Sequence, residues 1–247
     1  MDTSVQAPRV ALLAPMVSEL RPLLRKLSLE RTRLGDVDAH SGVAGGIEVV
    51  ATTTGMGMEA ATRATEGLLD STTVDHVVVV GIAGGVGPTI EIGDLVVPEV
   101  VVDGRDGKEY RPAPLGENTP RGRIVSSDQF GYEPDVTARF AAEGVVALDM
   151  ETGAVAAVCE RRGCPWSTFR AISDRGDDHT VDPAVLGLAN QDGTANGGAV
   201  VRYLVRRPWR IFRLAKLGKD AGVAADRAAT AALAACAQQE HTHWRAG

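Results

Sequence analysis

Three carboxylates, an arginine and a serine stand out for where they fall: Glu19, Glu151, Asp174, Arg170 and Ser173. Each lies in or just after a short aliphatic or β-branched run. In open α/β sheets, ligand-handling groups collect at the carboxyl ends of strands. Five groups fit that rule: Met16 to Glu19, Gly55 to Gly57, Ala83 to Gly85, Met150-Glu151 and Ser173-Asp174. Carboxyl groups in unlike surroundings can divide acid and base work, one protonated and one ionised. Each also has a plainer reading. Ser173-Asp174 after a strand is an N-cap signal. Glu19 at a helix start suits the helix dipole. Glu151 opens a helix too, but a carboxylate directly after a buried strand is costly without a partner.

Other polar clusters carry less. Asp174, Asp177, Asp178 and His179 read as a solvated loop rather than a metal site. Gly55-Met56-Gly57 resembles a phosphate cradle, yet one short Gly-x-Gly is not specific. Cys159, Cys164 and Cys236 are an odd set without C-x-x-C spacing, as expected of buried free thiols in a reducing cytoplasm.

The elements that must position the candidate groups alternate. Val10 to Ala14 reads as a strand, and Leu20, Leu23, Leu24 and Leu27 mark a helix over about 17–27. Pro22 is tolerable there only within the first turn. Ile47 to Thr53 predicts a strand, followed by an Ala-rich helix to about Leu69. Asp75 to Ile82, with four consecutive valines, predicts a central strand broken by Gly84 to Pro88. Another strand starts at Gly93 to Pro98, and 103–122 reads as an irregular loop. Ile124 to Ser127, Val145 to Leu148 and Trp166 to Ile172 complete the strands, with a helix at Glu151 to Arg162. Alternation of this kind implies one α/β domain over 1–247, a three-layer unit with a central mixed, mostly parallel sheet flanked by helices.

Composition agrees with that reading. The chain has 247 residues, 44% hydrophobic and 23% charged, enough for a sizeable core without disulfides or a structural metal. A net charge of −6 argues against nucleic acid as a partner. The first nine residues lack a signal-peptide pattern, and no apolar run approaches membrane-spanning length, so a soluble cytoplasmic protein is expected.

Three segments together resemble the methylthioadenosine/S-adenosylhomocysteine nucleosidases of the purine nucleoside phosphorylase superfamily. They are Ala14-Pro-Met-Val-Ser-Glu19; Gly81-Ile-Ala-Gly-Gly-Val-Gly-Pro88 with Gly93-Asp94; and Leu148-Asp-Met-Glu-Thr-Gly-Ala-Val-Ala156 with Phe169-Arg-Ala-Ile-Ser-Asp174. The likeness runs over about 9–180. It implies N-glycosidic hydrolysis of a purine nucleoside of the adenosyl type, by a homodimer that needs no cofactor or metal. By resemblance Asp174 is the general acid to the leaving base, oriented by Ser173. Glu19 activates water that Arg170 helps to fix, and Glu151 and Met150 contact the ribose. Phe130, in Ser127-Asp128-Gln129-Phe130, stacks on the base. Gly57, Ile82, Ala83 and Gly84 are the remaining candidates to line the ligand. Two carboxyl groups with different jobs also suit an oxocarbenium-like transition state.

Other readings remain open at this point. A phosphorylase shares the fold but must bind phosphate, usually with arginines and backbone amides. No arginine of that kind lies near Gly55 to Ala61 or Gly81 to Gly85, and Arg63 is expected to face solvent. A non-catalytic nucleoside-binding protein is a third reading. Ile82 replaces a small polar residue usual in the family, and the 103–122 loop is shorter than its family counterpart, so the 5′ substituent stays open. From about Asp182 the chain is unlike the usual closing helix. Over about 198–220 it holds Arg202, Arg206, Arg207, Arg210, Arg213, Lys216 and Lys219 among apolar residues, with Pro208 starting a second helix. That amphipathic region suggests either a helix packed on the domain or a weak contact with an anionic membrane surface, and with it a lipid-linked adenosyl substrate. Futalosine is a further candidate.

Overall fold

The computed structural model describes residues 7–129, 134–175 and 211–239. Four consecutive valines, Val77 to Val80, set the architecture, because residues so apolar on both sides must be covered on both sides. They form the start of β5 (His76–Gly85), and every other element is placed around it. On one side β1 (Arg9–Ala14) runs parallel to it, pairing Val10 with His76. On the other side β11 (Trp166–Arg175) runs parallel, from Trp166 against Val77 to Arg175 against Gly85. The last residues of β5 also pair antiparallel with β10 (Val145–Asp149). Beyond β1 lie β4 (Ile47–Thr53), β3 (Val37–Ala44) and β2 (Glu30–Leu34). Beyond β10 lie β9 (Arg123–Ser126), β7 (Val100–Asp103) and β8 (Glu109–Tyr110), while β6 (Leu95–Val96) pairs with β11. The result is one mixed sheet, in which β5 lies parallel to β1 and β11, while the β2–β4 edge and the β5–β10, β6–β11 and β7–β8 pairs are antiparallel.

Helices cover both faces and make the expected three layers. Helices α2 (Met58–Ser71) and α4 (Thr152–Arg162) bury Met58, Ala61, Leu68, Val155 and Cys159 against one face. Helix α1 (Val17–Lys26) and the closing helix α5 (Ile211–Gln238) cover the other, with Leu20 and Leu23 beside Ala224, Ala228, Ala232 and Phe169. A short helix α3 (Pro134–Ala142) lies against β10 through Phe140 and Ala141.

Several sequence expectations change. Pro22 falls in the second turn of α1, not the first. The helix start is held at Met16, whose amide donates to the Glu19 carboxylate at 2.9 Å. Pro22 has no N–H for the Ser18 carbonyl, and Ser18 is exposed, where water can serve it. Gly84 and Gly85 do not break β5 but continue it. A Cβ on Gly85 would come within 2.9 Å of both Ile172 and Ile90, so close strand packing requires glycine there. β11 likewise continues three residues past Ile172, through a bulge at Ser173. The segment expected as an irregular loop begins at the end of β7 and contains β8. Its remainder is fastened by Ala113 N to Trp166 O (2.7 Å), and by Leu115, buried against α5. Of the closing segment, the described part is a long helix, Ile211–Gln238, whose alanines pack on β5 and β11. The expected helix start at Pro208 and the residues from Arg202 to Arg210 lie outside the described residues, so the basic stretch is seen only from its end. Lys216 and Lys219 there are exposed. Among the described residues no helix is long and apolar enough to cross a membrane.

Candidate active site

The strand ends converge. Glu19, in the first turn of α1, is buried and divided between two amides: Oε2 accepts from Met16 and Oε1 from Ile82 N at 2.8 Å. Gly81 makes this approach possible, since a Cβ there would run into Glu19 Oε1 and Arg170 Nη1. Arg170, in mid-β11, is completely buried. Its Nη1 donates to Ile82 O at 3.2 Å and stands 3.9 Å from Glu19 Oε1. Its Nη2 lies 3.3 Å from Glu151 Oε2 and 2.7 Å from Asp149 Oδ2. Glu151 precedes α4, and its Oε1 accepts from Gly57 N at 3.0 Å. Residues from β5, β10, β11, α1 and the α2 entry thus meet around one guanidinium.

Three carboxylates around one cation leave negative charge in excess, in a space sealed from water. Burial raises Glu19 to about 8 and the Glu151 charge adds to it, against the lowering pull of Arg170 and of the Ile82 and Met16 amides. Burial also raises Glu151, to about 7, and Asp149 adds to it, against Arg170 and Gly57 N. Two carboxyl groups that change protonation near neutrality in one cleft are a signature of acid–base chemistry.

The start of α2 is arranged around carboxylates as well. Asp128 Oδ1 accepts from Met58 N at 2.8 Å, beside the Gly57 amide held by Glu151. Gly57 has φ 92°, and a Cβ there would stand 2.9 Å from Asp128, so both backbone and space call for glycine. Arg63 points away, its side chain exposed and paired with Glu59.

Farther along β11 the bulge resets the strand's alternation, as bulges do near functional sites. Ser173 Oγ donates to Asp174 Oδ1 at 2.6 Å and lies 3.4 Å from Ala83 O. Asp174 itself is half-buried, opposite Gly84. Of the expected site residues, Glu19, Glu151, Arg170, Gly57 and Ile82 are joined by direct contacts, Ile82 through its backbone. Ser173, Asp174, Ala83 and Gly84 form a second group at the ends of β5 and β11. Met150 is half-buried between Asp149 and Glu151, and Phe130 lies outside the described residues. Of the acidic group considered for a metal, only Asp174 is described, and the described residues hold no cluster suited to a metal ion.

Sequence reasoning missed Asp149, Thr152, Ser126 and Asp128. Asp149 had a readable signal: it closes the buried run Ala147-Leu148-Asp149 of β10, on the same side as Ala147 by strand alternation. A carboxylate in a buried row needs a partner.

This geometry can be set beside known proteins. A family model described as the phosphorylase superfamily matches residues 9–114 and 108–206. Among solved structures, the S. pneumoniae methylthioadenosine/S-adenosylhomocysteine nucleosidase with the transition-state inhibitor MT-ImmA is similar at 19% identity. The match covers 94% of this chain and 100% of that one, with a TM-score of 0.70. The Neisseria meningitidis enzyme of the same name, with methylthio-immucillin-A, shares 20% identity over 93% and 98%, TM-score 0.68. Futalosine hydrolase of Helicobacter pylori shares 20% over 91% and 95%, TM-score 0.66. At these identities the structural likeness speaks for the fold, and it is the family model, spanning most of the described sheet, that places the chain by descent: it belongs to the phosphorylase superfamily.

Proposed function

We propose that this chain is a nucleosidase, hydrolysing the N-glycosidic bond of a purine nucleoside of the adenosyl type. The observation that carries the reading is the occupation of the α2 entry. The Gly57 and Met58 amides, which a phosphorylase would offer to phosphate, already donate to Glu151 and Asp128. Phosphate brought there would meet two carboxylates, and Arg170 is engaged by three acidic partners. Water needs no such anion site.

In this reading Glu19 takes the proton of the attacking water, and Arg170 with Glu151 fixes the water and the ribose. A base that titrates near neutrality is well matched to that task. The buried negative charge opposes the cation that develops on the ribose. Asp174, with one oxygen held by Ser173, supplies the proton to the departing base. Three residues, one of them in the bulge, separate Arg170 from Asp174, a rise of roughly 10–13 Å, which leaves room for a nucleoside between their side chains. The similar proteins named for methylthioadenosine, S-adenosylhomocysteine and futalosine make these the first 5′ substituents to try.

The test is base release from methylthioadenosine, S-adenosylhomocysteine, adenosine, inosine, futalosine and a lipid-tailed adenosyl compound, with and without phosphate. Release without phosphate, lost in Asp174→Asn, is the expected result. Strict phosphate dependence would make the chain a phosphorylase. Binding without any release would leave a nucleoside-binding protein.

A further inference from the structure

The tightest partner of Arg170 is not one of the two carboxylates given roles above. Asp149 Oδ2 lies 2.7 Å from Nη2, against 3.3 Å for Glu151 and 3.9 Å for Glu19, and the paired side chains are 0% and 1% exposed. Asp149 is itself held from several directions. Ser126 Oγ donates to its Oδ1 and Thr152 Oγ1 to its Oδ2, both in short contacts, and Thr152 N approaches Oδ1 at 3.3 Å. Thr152 Oγ1 also accepts from Arg170 Nε at 3.1 Å and Nη2 at 2.9 Å. The threonine hydroxyl therefore passes a hydrogen bond from the guanidinium on to the carboxylate. Ser126 in turn receives Gly153 N at 2.8 Å, tying β9, β10 and the first turn of α4 into one unit.

We propose that Asp149 is a positioning residue for the reaction: it fixes the Arg170 guanidinium and neutralises it, so that Glu19 and Glu151 face a cation already paired. This rests on the reading of Glu19 and Glu151 as the reacting groups. The charged groups around them are Arg170 from β11, Asp149 from β10, each other from α1 and the α4 entry, and Asp128 across the Gly57 and Met58 amides. One guanidinium is divided among three acidic side chains. The raised affinity of Glu19 and Glu151 for protons follows from burial first; Asp149 then adds to it at Glu151, and Glu151 adds to it at Glu19, both against the pull of Arg170. Asp149 thereby acts on Glu151 directly, and on the water-activating Glu19 through the Arg170 and Glu151 that they share.

Asp149→Asn keeps the shape and removes the charge. The pH at which kcat/KM rises should fall by about one unit, because Arg170 then acts fully on Glu19 and Glu151. Titration of 13C-labelled glutamates by NMR reads the same shift without turnover. If wild type releases no base, the nucleosidase reading fails while this measurement still decides the role of Asp149. Asp149→Glu keeps the charge but moves the guanidinium: the pH limb should stay in place while kcat falls about 10–100-fold. A folded Asp149→Asn whose pH limb and glutamate signals match wild type would overturn the proposal. So would a folded Asp149→Glu with full kcat, and that variant decides alone where Asp149→Asn does not fold.

Discussion

β5 and β11 lie side by side over almost their whole length, and buried polar groups sit at both ends of the pair. At the starting end, His76 Nε2 meets Ser167 Oγ at 2.8 Å, and the serine donates to Ala113 O at 2.7 Å. The serine has one proton, so His76 is the donor to it, as the Nε2–H tautomer. Burial lowers His76 to about 4, leaving it neutral at ordinary pH. From mid-β11 toward the finishing end stand Arg170 and three acidic side chains, of which Glu19 and Glu151 are raised by burial and by a neighbouring acidic group. Both ends are sealed from water, yet only one is electrically unbalanced. A buried polar group whose hydrogen bonds are neutral serves to fasten chain to chain. Crowded like charges are costly to keep, and such costs are characteristic of sites where chemistry happens.

Mutations at each end can break that contrast. The largest effect is expected of Asp174→Asn, which should slow base release by about 10²–10⁴ while ligand binding by calorimetry persists. Glu19→Gln should slow release by a similar factor and, unlike a fastening residue, should flatten the fall of stability with rising pH. The sign follows from linkage. Glu19 holds its proton to about 8 when folded and to about 4.5 when unfolded, so stability falls as pH rises between those values. Glutamine removes that slope but leaves the Met16 or the Ile82 amide facing its NH2 group, so it is the Tm relative to wild type that should rise, by a few degrees, between pH 5 and pH 8.5. A Tm difference from wild type that does not change between pH 5 and pH 8.5 would break the comparison. Gly81→Ala should cost about 1–3 kcal/mol in urea unfolding, together with most of the activity, because the added methyl enters the space of Glu19 and Arg170. At the fastening end, Ser167→Ala should cost about 1–3 kcal/mol by leaving His76 and the Ala113 carbonyl without their shared partner, with kcat unchanged. His76 gives the opposite pH slope: its lowered value means stability is lost as pH falls from 6.5 toward 4. The smallest effect belongs to Arg63→Ala on the exposed face of α2, below about 1 kcal/mol, with no change in phosphate dependence.

The parts legible in the sequence were those whose signals are strong and local. The valine run, the aliphatic strands at 10–14 and 47–53 and the leucine spacing of α1 each declare one structure, and the expected layers follow from their alternation. The antiparallel edge was not legible in the same way. β2 reads Glu-Arg-Thr-Arg-Leu and is largely exposed, so it has no apolar alternation to reveal it. Its hairpin neighbours are marked only by turns, Gly35-Asp36 and Gly45-Gly46, the latter with φ 58° and 80° as a two-residue hairpin turn demands. Beyond Lys219, helix α5 escaped because its buried stripe is alanine, which barely changes the hydrophobic pattern. In the site, residues quoted for their likeness to a family pointed to Glu19, Glu151 and Arg170. The partners that hold them did not emerge, because Ser126 and Thr152 are ordinary residues whose importance lies in contacts made across long stretches of chain.

The branching of the sheet at β5 has a temporal side. β1 and β5 are complete once residue 85 has been made, but β11 comes some 80 residues later. At usual synthesis rates of about 5–20 residues per second, one edge of the valine strand waits roughly 4–16 s for its neighbour. Unpaired apolar edges of that kind are where chains stick to one another. The strand that ends the wait carries Arg170 and Asp174, so catalytic competence cannot precede closure of the most aggregation-prone edge. In a refolding experiment, activity should be the last signal to return.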